Sequence, residues 1–323
     1  MLELKKLANY SVFKCGHSSV VERLVANEKV EGSTPFARSI SKVKTMIIWI
    51  ASYPKSGNTY LRSFLSTYFY SKNGKFDFNL LLNINQFPSF RYSNRKAYTY
   101  FDAAQNWIPN QKEFFDKEKT FFLKTHNSLE QYFGHKFTTS SETLGAIYIV
   151  RDPRNVISSM CNHYSMSFDE ALIRMNDNNA SLSKKNSEGD LSNFSFLGSW
   201  SNHYKSWKNS FEFKTLFIKY EDLKNDAYNQ FCKILEFIGE LNGKNEVIDK
   251  KKLNNSIEAT SFSNLKKQEQ MHGFKESLSY KINDKTNFFN LGFKNDWKKI
   301  LPKEISDKIN IQFSNELKDL KYE

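Results

Sequence analysis

The chain has 323 residues, enough for one large domain or two small ones, and 39% hydrophobic with 15% aromatic residues allow a sizeable core. A formal charge of +12 calls for anionic partners, but the lysines are scattered instead of gathered into arginine-rich or aromatic-interleaved blocks, which disfavours nucleic acid and favours a polyanionic small molecule steered into one cleft. No run of about 18 apolar residues occurs, so no membrane span is expected; Cys15, Cys161 and Cys232 are odd in number, show no metal-ligand spacing and fit a reduced, cytoplasmic setting.

Residues 1–45 read differently from the rest. They lack the apolar h-region of a secretory signal. Cys15 to Ser39, CGHSSVVERLVANEKVEGSTPFARS, resembles the peptide obtained when a reading frame runs through a transfer RNA gene. Gly32-Ser33-Thr34-Pro35 can be encoded by GGT-TCG-ACT-CC, the T-arm sequence of such a gene. The expectation is a start at Met46 and a segment without function. The rival reading is a basic targeting extension. The segment holds eight Lys/Arg and four Asp/Glu, so residues 46–323 are still basic, at +8.

Met46 to Ala51 is an apolar run that stops at Ser52-Tyr53-Pro54. Lys55, Ser56, Gly57, Asn58 and Thr59 follow, and then Tyr60, Leu61, Phe64, Leu65, Tyr68 and Phe69 fit one helical face. The pattern predicts a buried strand, a tight turn and a helix. Such a turn aims free backbone N–H groups, the positive helix end and a lysine at one spot, which favours an oxyanion. Gly57 allows close backbone approach, and Ser56 and Thr59 add hydroxyl donors. The loop lacks the Gly-x-x-x-x-Gly-Lys order of a Walker A motif, since its lysine precedes its glycine. An ordinary strand–helix turn with a surface lysine is the plain alternative.

Residues 73–118 carry no clear chemistry. Lys72-Asn73-Gly74-Lys75 is a turn signal, and Trp107-Ile108-Pro109 is a break. Thr120 to Lys124 reads as a second buried strand, ending in Lys124-Thr125-His126-Asn127. In an open parallel sheet, ligands sit beyond the carboxyl ends of the strands. Lys124 and His126 therefore share a rim with Lys55, and strand alternation sends them to the same side. A histidine there can take a proton near neutral pH, and a lysine can neutralise developing charge.

Gly145 to Val150 is the third strand. It runs into Arg151-Asp152-Pro153-Arg154-Asn155, where Asp152 suits a helix N-cap and Pro153 the first helical position. Arg151 at the strand end, with Ser159 two turns into the helix, can form a second anion site. His163, on the same helix, reads as packed or exposed. Residues 167–193 are polar, with 181–190 loop-like. Trp200, Tyr204 and Trp207 have helical spacing and read as core. Leu216 to Leu223 is a fourth strand and its exit, 225–239 a helix, and 302–323 a charged terminal helix.

Taken in order, these segments resemble the sulfotransferases that use 3′-phosphoadenosine 5′-phosphosulfate (PAPS). Pro54 to Tyr60 resembles their 5′-phosphosulfate loop, with Asn58 for a threonine and Tyr60 for a tryptophan. Lys124-Thr125-His126 resembles their catalytic segment, and Arg151 to Ser159 their 3′-phosphate motif. Tyr220-Glu221-Asp222-Leu223 is similar to the segment whose tyrosine reaches the adenine, and Thr260 and Phe262 match one that lines the nucleotide. Phe289 to Lys298 resembles the late loop Arg-x-Gly-x-x-Gly-Asp-Trp-Lys. It keeps Gly292, Asp296, Trp297 and Lys298, but Asn290 stands for the arginine and Asn295 for the second glycine. Lys294 or backbone N–H groups near Gly292 can compensate.

The resemblance implies an α/β fold: one domain over 46–323 with a central, mainly parallel sheet flanked by helices. It implies sulfuryl transfer from PAPS to an acceptor hydroxyl or amine, leaving 3′-phosphoadenosine 5′-phosphate (PAP). His126 would be the general base, with Lys55 and Lys124 catalytic beside it. Lys55, Ser56, Gly57, Asn58 and Thr59 would hold the 5′-phosphate, and Arg151 and Ser159 the 3′-phosphate. Tyr60, Tyr220 and Phe262 would lie around adenine, with Thr260, Gly292 and Lys294 completing the nucleotide site. No metal is needed where lysines and backbone donors supply the positive field. A small-molecule or carbohydrate acceptor is expected, walled by 73–118 and 165–195, with no nucleic-acid or membrane partner. The alternatives are a P-loop nucleotide kinase and a non-catalytic nucleotide-binding relative.

Overall fold

The computed structural model describes residues 46–115, 119–244, 247–274, 276 and 287–322. The expectation for residues 1–45 lies outside the described residues. Strand β1 (Ile47–Ser52) leads into α1 (Asn58–Tyr70). Then come α2 (Tyr100–Gln105), α3 (Trp107–Phe115), β2 (Phe121–Thr125), β3 (Thr143–Val150), α4 (Pro153–Tyr164) and α5 (Phe168–Asn176). A short ribbon, β4 (Ser181–Leu182) with β5 (Ser195–Phe196), precedes α6 (Trp200–Lys208), β6 (Thr215–Lys219), α7 (Tyr220–Asn225) and α8 (Ala227–Leu241). The remaining elements are α9 (Lys250–Ala259), α10 (Phe262–His272), α11 (Trp297–Ile300), α12 (Lys303–Gln312) and α13 (Ser314–Asp319).

Four strands form a sheet in the order β2-β1-β3-β6, and every pair in it is parallel. All six residues of β1 are buried, as expected where helices cover both faces. Alternation sorts the side chains. Trp49 and Tyr148 face a core shared with Phe137, Trp200, Trp207 and Phe313. Ile48, Ile50, Ile147 and Ile149 face the other core, with Leu61, Phe64, Phe231 and Ile234. The chain leaves β1 for β2 on one side and β3 on the other. This opens a crevice at the carboxyl ends of the strands, where ligands of such sheets bind.

The expected strands and the aromatic core role of Trp200, Tyr204 and Trp207 are all present. Three segments differ from expectation. The polar stretch after Met166 folds into α5, started by a capping box between Ser167 and Glu170. Residues 181–190 are not merely loop. Ser181 and Leu182 pair with Phe196 and Ser195, and the buried Asp190 carboxylate accepts hydrogen bonds from the Ala97 and Ser192 backbone N–H groups. The terminal helix is two helices, α12 and α13, divided at Phe313, whose ring is drawn into the core.

Candidate functional site

The loop after β1 turns on two left-handed residues, Lys55 (φ 65°) and Gly57 (φ 105°). For Lys55 that conformation costs about 1–2 kcal/mol, a strain the surrounding fold must hold. A Cβ at Gly57 would come within 2.4 Å of the Tyr220 ring, so only glycine lets β1, α1 and the start of α7 meet here. The Asn58 side chain pins the loop to its strand, donating to Ile50 O at 2.9 Å and Ser52 Oγ at 3.2 Å. Its amide N–H groups are thus engaged, leaving Asn58 its backbone N–H. Ser56 Oγ is buried with no hydrogen-bond partner among the described residues.

A cavity of about 380 Å³ opens above the strand ends. It is lined by Lys55, Gly57, Asn58, Thr59 and Tyr60 from the loop and α1, by Lys124 and His126 after β2, and by Arg151 and Ser159 from the β3–α4 junction. Tyr220, Phe262 and Gly292 complete the lining expected from the sequence. Three expected residues lie outside it. Ser56 is buried within the loop and does not line the cavity. Thr260 is wholly buried at the end of α9, its hydroxyl donating to Ser256 O. Lys294 is exposed and does not face the cavity.

His126 is nearly buried, and its Nδ1 lies 2.7 Å from the backbone oxygen of Ser52. A carbonyl oxygen only accepts, so Nδ1 carries the proton and Nε2 keeps a lone pair. Burial and the neighbouring Lys124 ammonium hold the imidazole well below its ordinary pKa. The ring is therefore neutral at pH 7 and able to take a proton.

Lys55 projects over the Phe288 ring at 3.9 Å. Burial, with repulsion from Lys124 and Arg151, lowers its pKa to about 7. Lys124 is buried and also shifted down, chiefly by burial. Arg151 donates to Lys55 O at 3.1 Å and lies 4.5 Å over the Tyr220 ring. Its buried Nε has no partner among the described residues. Asp152 caps α4 with Pro153 in its first turn, as the sequence predicts.

Several residues at the site carried no role in the sequence reading. Glu276 enters the cavity and pairs with Arg62 Nη1 at 2.6 Å and Lys124 Nζ at 3.3 Å, and accepts from Thr59 Oγ1 at 3.4 Å. Arg62 lies on α1, but nothing in the local sequence marks it as ion-paired, and Glu276 lies in no motif. His163 lines the cavity, half-buried and packed against Tyr164 and Phe288, with burial and then Lys55 and Lys124 lowering its pKa to about 3. The two departures of the late loop have visible partners. Asn295 accepts from Ser158 Oγ at 2.7 Å and donates to Asn155 O at 2.9 Å, docking the loop on α4. Asn290 donates to Asn162 Oδ1 at 2.7 Å. Of the two segments expected to wall an acceptor, 73–118 contributes Gln86 and 165–195 contributes Leu182.

Fold and site together define an α/β protein whose strand–turn–helix loop after β1 and β3–α4 junction bring basic residues to one cavity. The chain belongs to the sulfotransferase domain family, whose model matches residues 46–321. It is 26% identical to Sulfotransferase 1E1 of Mus musculus over 283 residues, covering 84% of this chain and 83% of that protein. It is 23% identical to the amine sulfotransferase of Oryctolagus cuniculus over 283 residues, covering 84% and 81%. Among solved structures, mouse sulfotransferase SULT7A1 complexed with PAP has a TM-score of 0.52 at 19% identity, covering 84% of each chain. Retinol dehydratase in complex with androsterone and inactive cofactor PAP has a TM-score of 0.54 at 16% identity, covering 84% of this chain and 81% of that one. At these identities the structural likeness is one of fold. Among the described residues no helix is long and apolar enough to cross a membrane.

Proposed function

We propose that the chain transfers a sulfuryl group from PAPS to the hydroxyl or amine of a small-molecule or carbohydrate acceptor. The observation that carries this reading is the convergence of Lys55, Lys124, His126, Arg151 and Ser159 on one cavity. The residues fit such a donor. Arg151 lines the cavity, and its buried Nε has no partner among the described residues. The names of the relatives and the PAP held by the similar structures support the same reading.

When bound, PAPS supplies the activated sulfuryl group. The chain supplies position and charge. The backbone N–H groups of residues 56–59 and the start of α1 present a positive cradle for the 5′-phosphate. Lys55, ahead of Gly57, neutralises charge on the leaving oxygen, and Lys124 neutralises charge on the sulfuryl oxygens. Arg151 and Ser159 take the 3′-phosphate, while Tyr60, Tyr220 and Phe262 offer rings to the adenine. His126 Nε2 takes the acceptor proton, its lone pair fixed by the bond from Nδ1–H to Ser52 O. Lys294 and Thr260 are not assigned direct contacts, since neither lines the cavity.

Thermal-shift titration of the full chain with PAP, against AMP and ATP, tests the donor site. A ligand at 100 times its dissociation constant that binds only the folded state stabilises by about 2.7 kcal/mol. A large shift with PAP and little with AMP supports 3′-phosphate recognition. A shift with ATP and none with PAP would overturn the reading in favour of a kinase.

A further inference from the structure

His203 lies outside the cavity, yet its neighbours are the frame of the site. It is wholly buried on α6. Its Nε2 is 3.0 Å from the backbone oxygen of His126, and its Nδ1 is 2.9 Å from the hydroxyl of Tyr148 on β3. Its ring stands edge-on to Tyr53, at 5.4 Å, just before Pro54 and Lys55. One side chain therefore touches the carboxyl ends of β1, β2 and β3. Because the His126 carbonyl can only accept, Nε2 of His203 carries the proton, and Tyr148 donates to Nδ1. Burial lowers the pKa of His203 to about 4, so the ring stays neutral at pH 7.

The same helix holds the next three residues. Trp207 Nε1 donates to Asn127 O at 3.0 Å. Ser206 Oγ accepts from the Leu129 backbone N–H at 3.0 Å and from Ser128 Oγ at 3.1 Å. Four successive residues after β2 are thus tied to α6, His126 by His203 alone of these.

We infer that His203 is a positioning residue for His126, an inference that rests on the sulfuryl-transfer reading above. His126 is fixed at both ends: its carbonyl by His203 Nε2–H, its imidazole by Ser52 O. The Nε2 lone pair of His126 then has one orientation toward the cavity. Without the His203 donor, the His126 carbonyl is a buried acceptor with no partner. The peptide can rotate to find one, drawing the imidazole off Ser52 and releasing its tautomer.

Two polar variants test this. In His203→Gln the side-chain amide reaches as far as Nε2 and can still donate to the His126 carbonyl. In His203→Asn it reaches only as far as Nδ1 and cannot. Long-range 1H–15N spectra of the histidine rings, with His126 assigned by His126→Asn, report its tautomer without any substrate. The wild type and His203→Gln should show the Nδ1–H form alone, and His203→Asn a mixture. With PAPS and a panel of phenols, alcohols and amines, His203→Asn should lose about tenfold or more in kcat at unchanged PAP affinity. His203→Gln should recover most of it. A His203→Asn protein that keeps both the single tautomer and its kcat, or a Gln variant as impaired as Asn in both readouts, would overturn the inference. A wild type that transfers nothing from PAPS would instead overturn the activity reading, and the tautomer measurement would still decide the role of His203.

Discussion

Glu276 meets Lys124 at 3.3 Å inside the cavity while its other oxygen holds Arg62 at 2.6 Å. Burial opposes ionisation of this carboxyl, but Lys124 and Arg62 outweigh it and hold the group well below the usual carboxylate range. Glu276 is thus the internal counter-anion to cations that would otherwise face one another across the site. On the proposed reading, an incoming sulfated and phosphorylated nucleotide would offer those cations a second source of negative charge.

The first prediction is that Glu276→Gln destabilises the ligand-free protein and tightens PAP binding. The Glu276 side chain is 31% exposed, so the stability loss sits at the low end of that for an unsatisfied buried charge partner, about 1 kcal/mol. The sign of the pH effect follows from the lowered pKa. The contribution is full above the ordinary carboxylate range and fades as pH falls toward the folded-state value. The difference in Tm between wild type and variant should therefore hold from pH 8 to about pH 5 and shrink below it. A variant that binds PAP more weakly would show that Glu276 supports the nucleotide instead of competing with it.

Lys55 gives a prediction in the alkaline direction. Its pKa is lowered to about 7, by burial and by Lys124 and Arg151. Between that value and the ordinary lysine range, the unfolded chain binds a proton that the folded one does not, so this group makes stability rise with pH there. A phosphate beside Lys55 restores the charged form. PAP binding at pH 8 should take up as much as about one proton, measured by titration calorimetry in buffers of different ionisation enthalpy. PAP affinity should weaken as pH rises above 7. Binding with no proton uptake would mean that Lys55 does not meet the phosphate.

His126→Ala should lower turnover by about 10²- to 10⁴-fold, the range of a lost general base, while PAP affinity changes little. Since burial and Lys124 hold the imidazole well below its ordinary pKa, the acid limb of kcat/KM should fall below pH 6.5 in the wild type and vanish in the variant. Near-normal turnover in His126→Ala would remove His126 from the base role.

These groups were not equally legible in the sequence. Lys55, His126 and Arg151 sit where apolar runs stop, and the end of a buried strand is readable from composition alone; parallel pairing then places all three on one rim. Asp152 and Pro153 announce the start of α4 by capping chemistry. Glu276 and Arg62 were opaque, because their pairing joins positions far apart in the chain and no local pattern encodes it. His203 was hidden by its helix: among Trp200, Tyr204 and Trp207 it shares a core periodicity, and only its contacts with Tyr148 and the His126 carbonyl set it apart. Thr260 shows the converse, a residue that matches a motif while its hydroxyl serves only its own helix.

Asn290 provides the last prediction. It lines the cavity, at the position where the resemblance implies an arginine, and its amide is held by Asn162 Oδ1 at 2.7 Å. Lys294, which could have replaced the lost charge, is exposed and does not line the cavity. On the proposed reading, Arg151 and Ser159, which line the cavity, would serve the 3′-phosphate with one charge fewer. Asn290→Arg should restore a charge-assisted hydrogen bond, worth about 1.5–3 kcal/mol, less the bond to Asn162 that it gives up. The net expectation is about a tenfold gain in PAP affinity, with AMP, which has no 3′-phosphate, gaining little. Parallel calorimetric titrations of both nucleotides distinguish this from a general rise in anion affinity. An equal gain for AMP would place residue 290 away from the 3′-phosphate, and no gain for either would show that Asn162 and the docked loop hold position 290 back from the ligand.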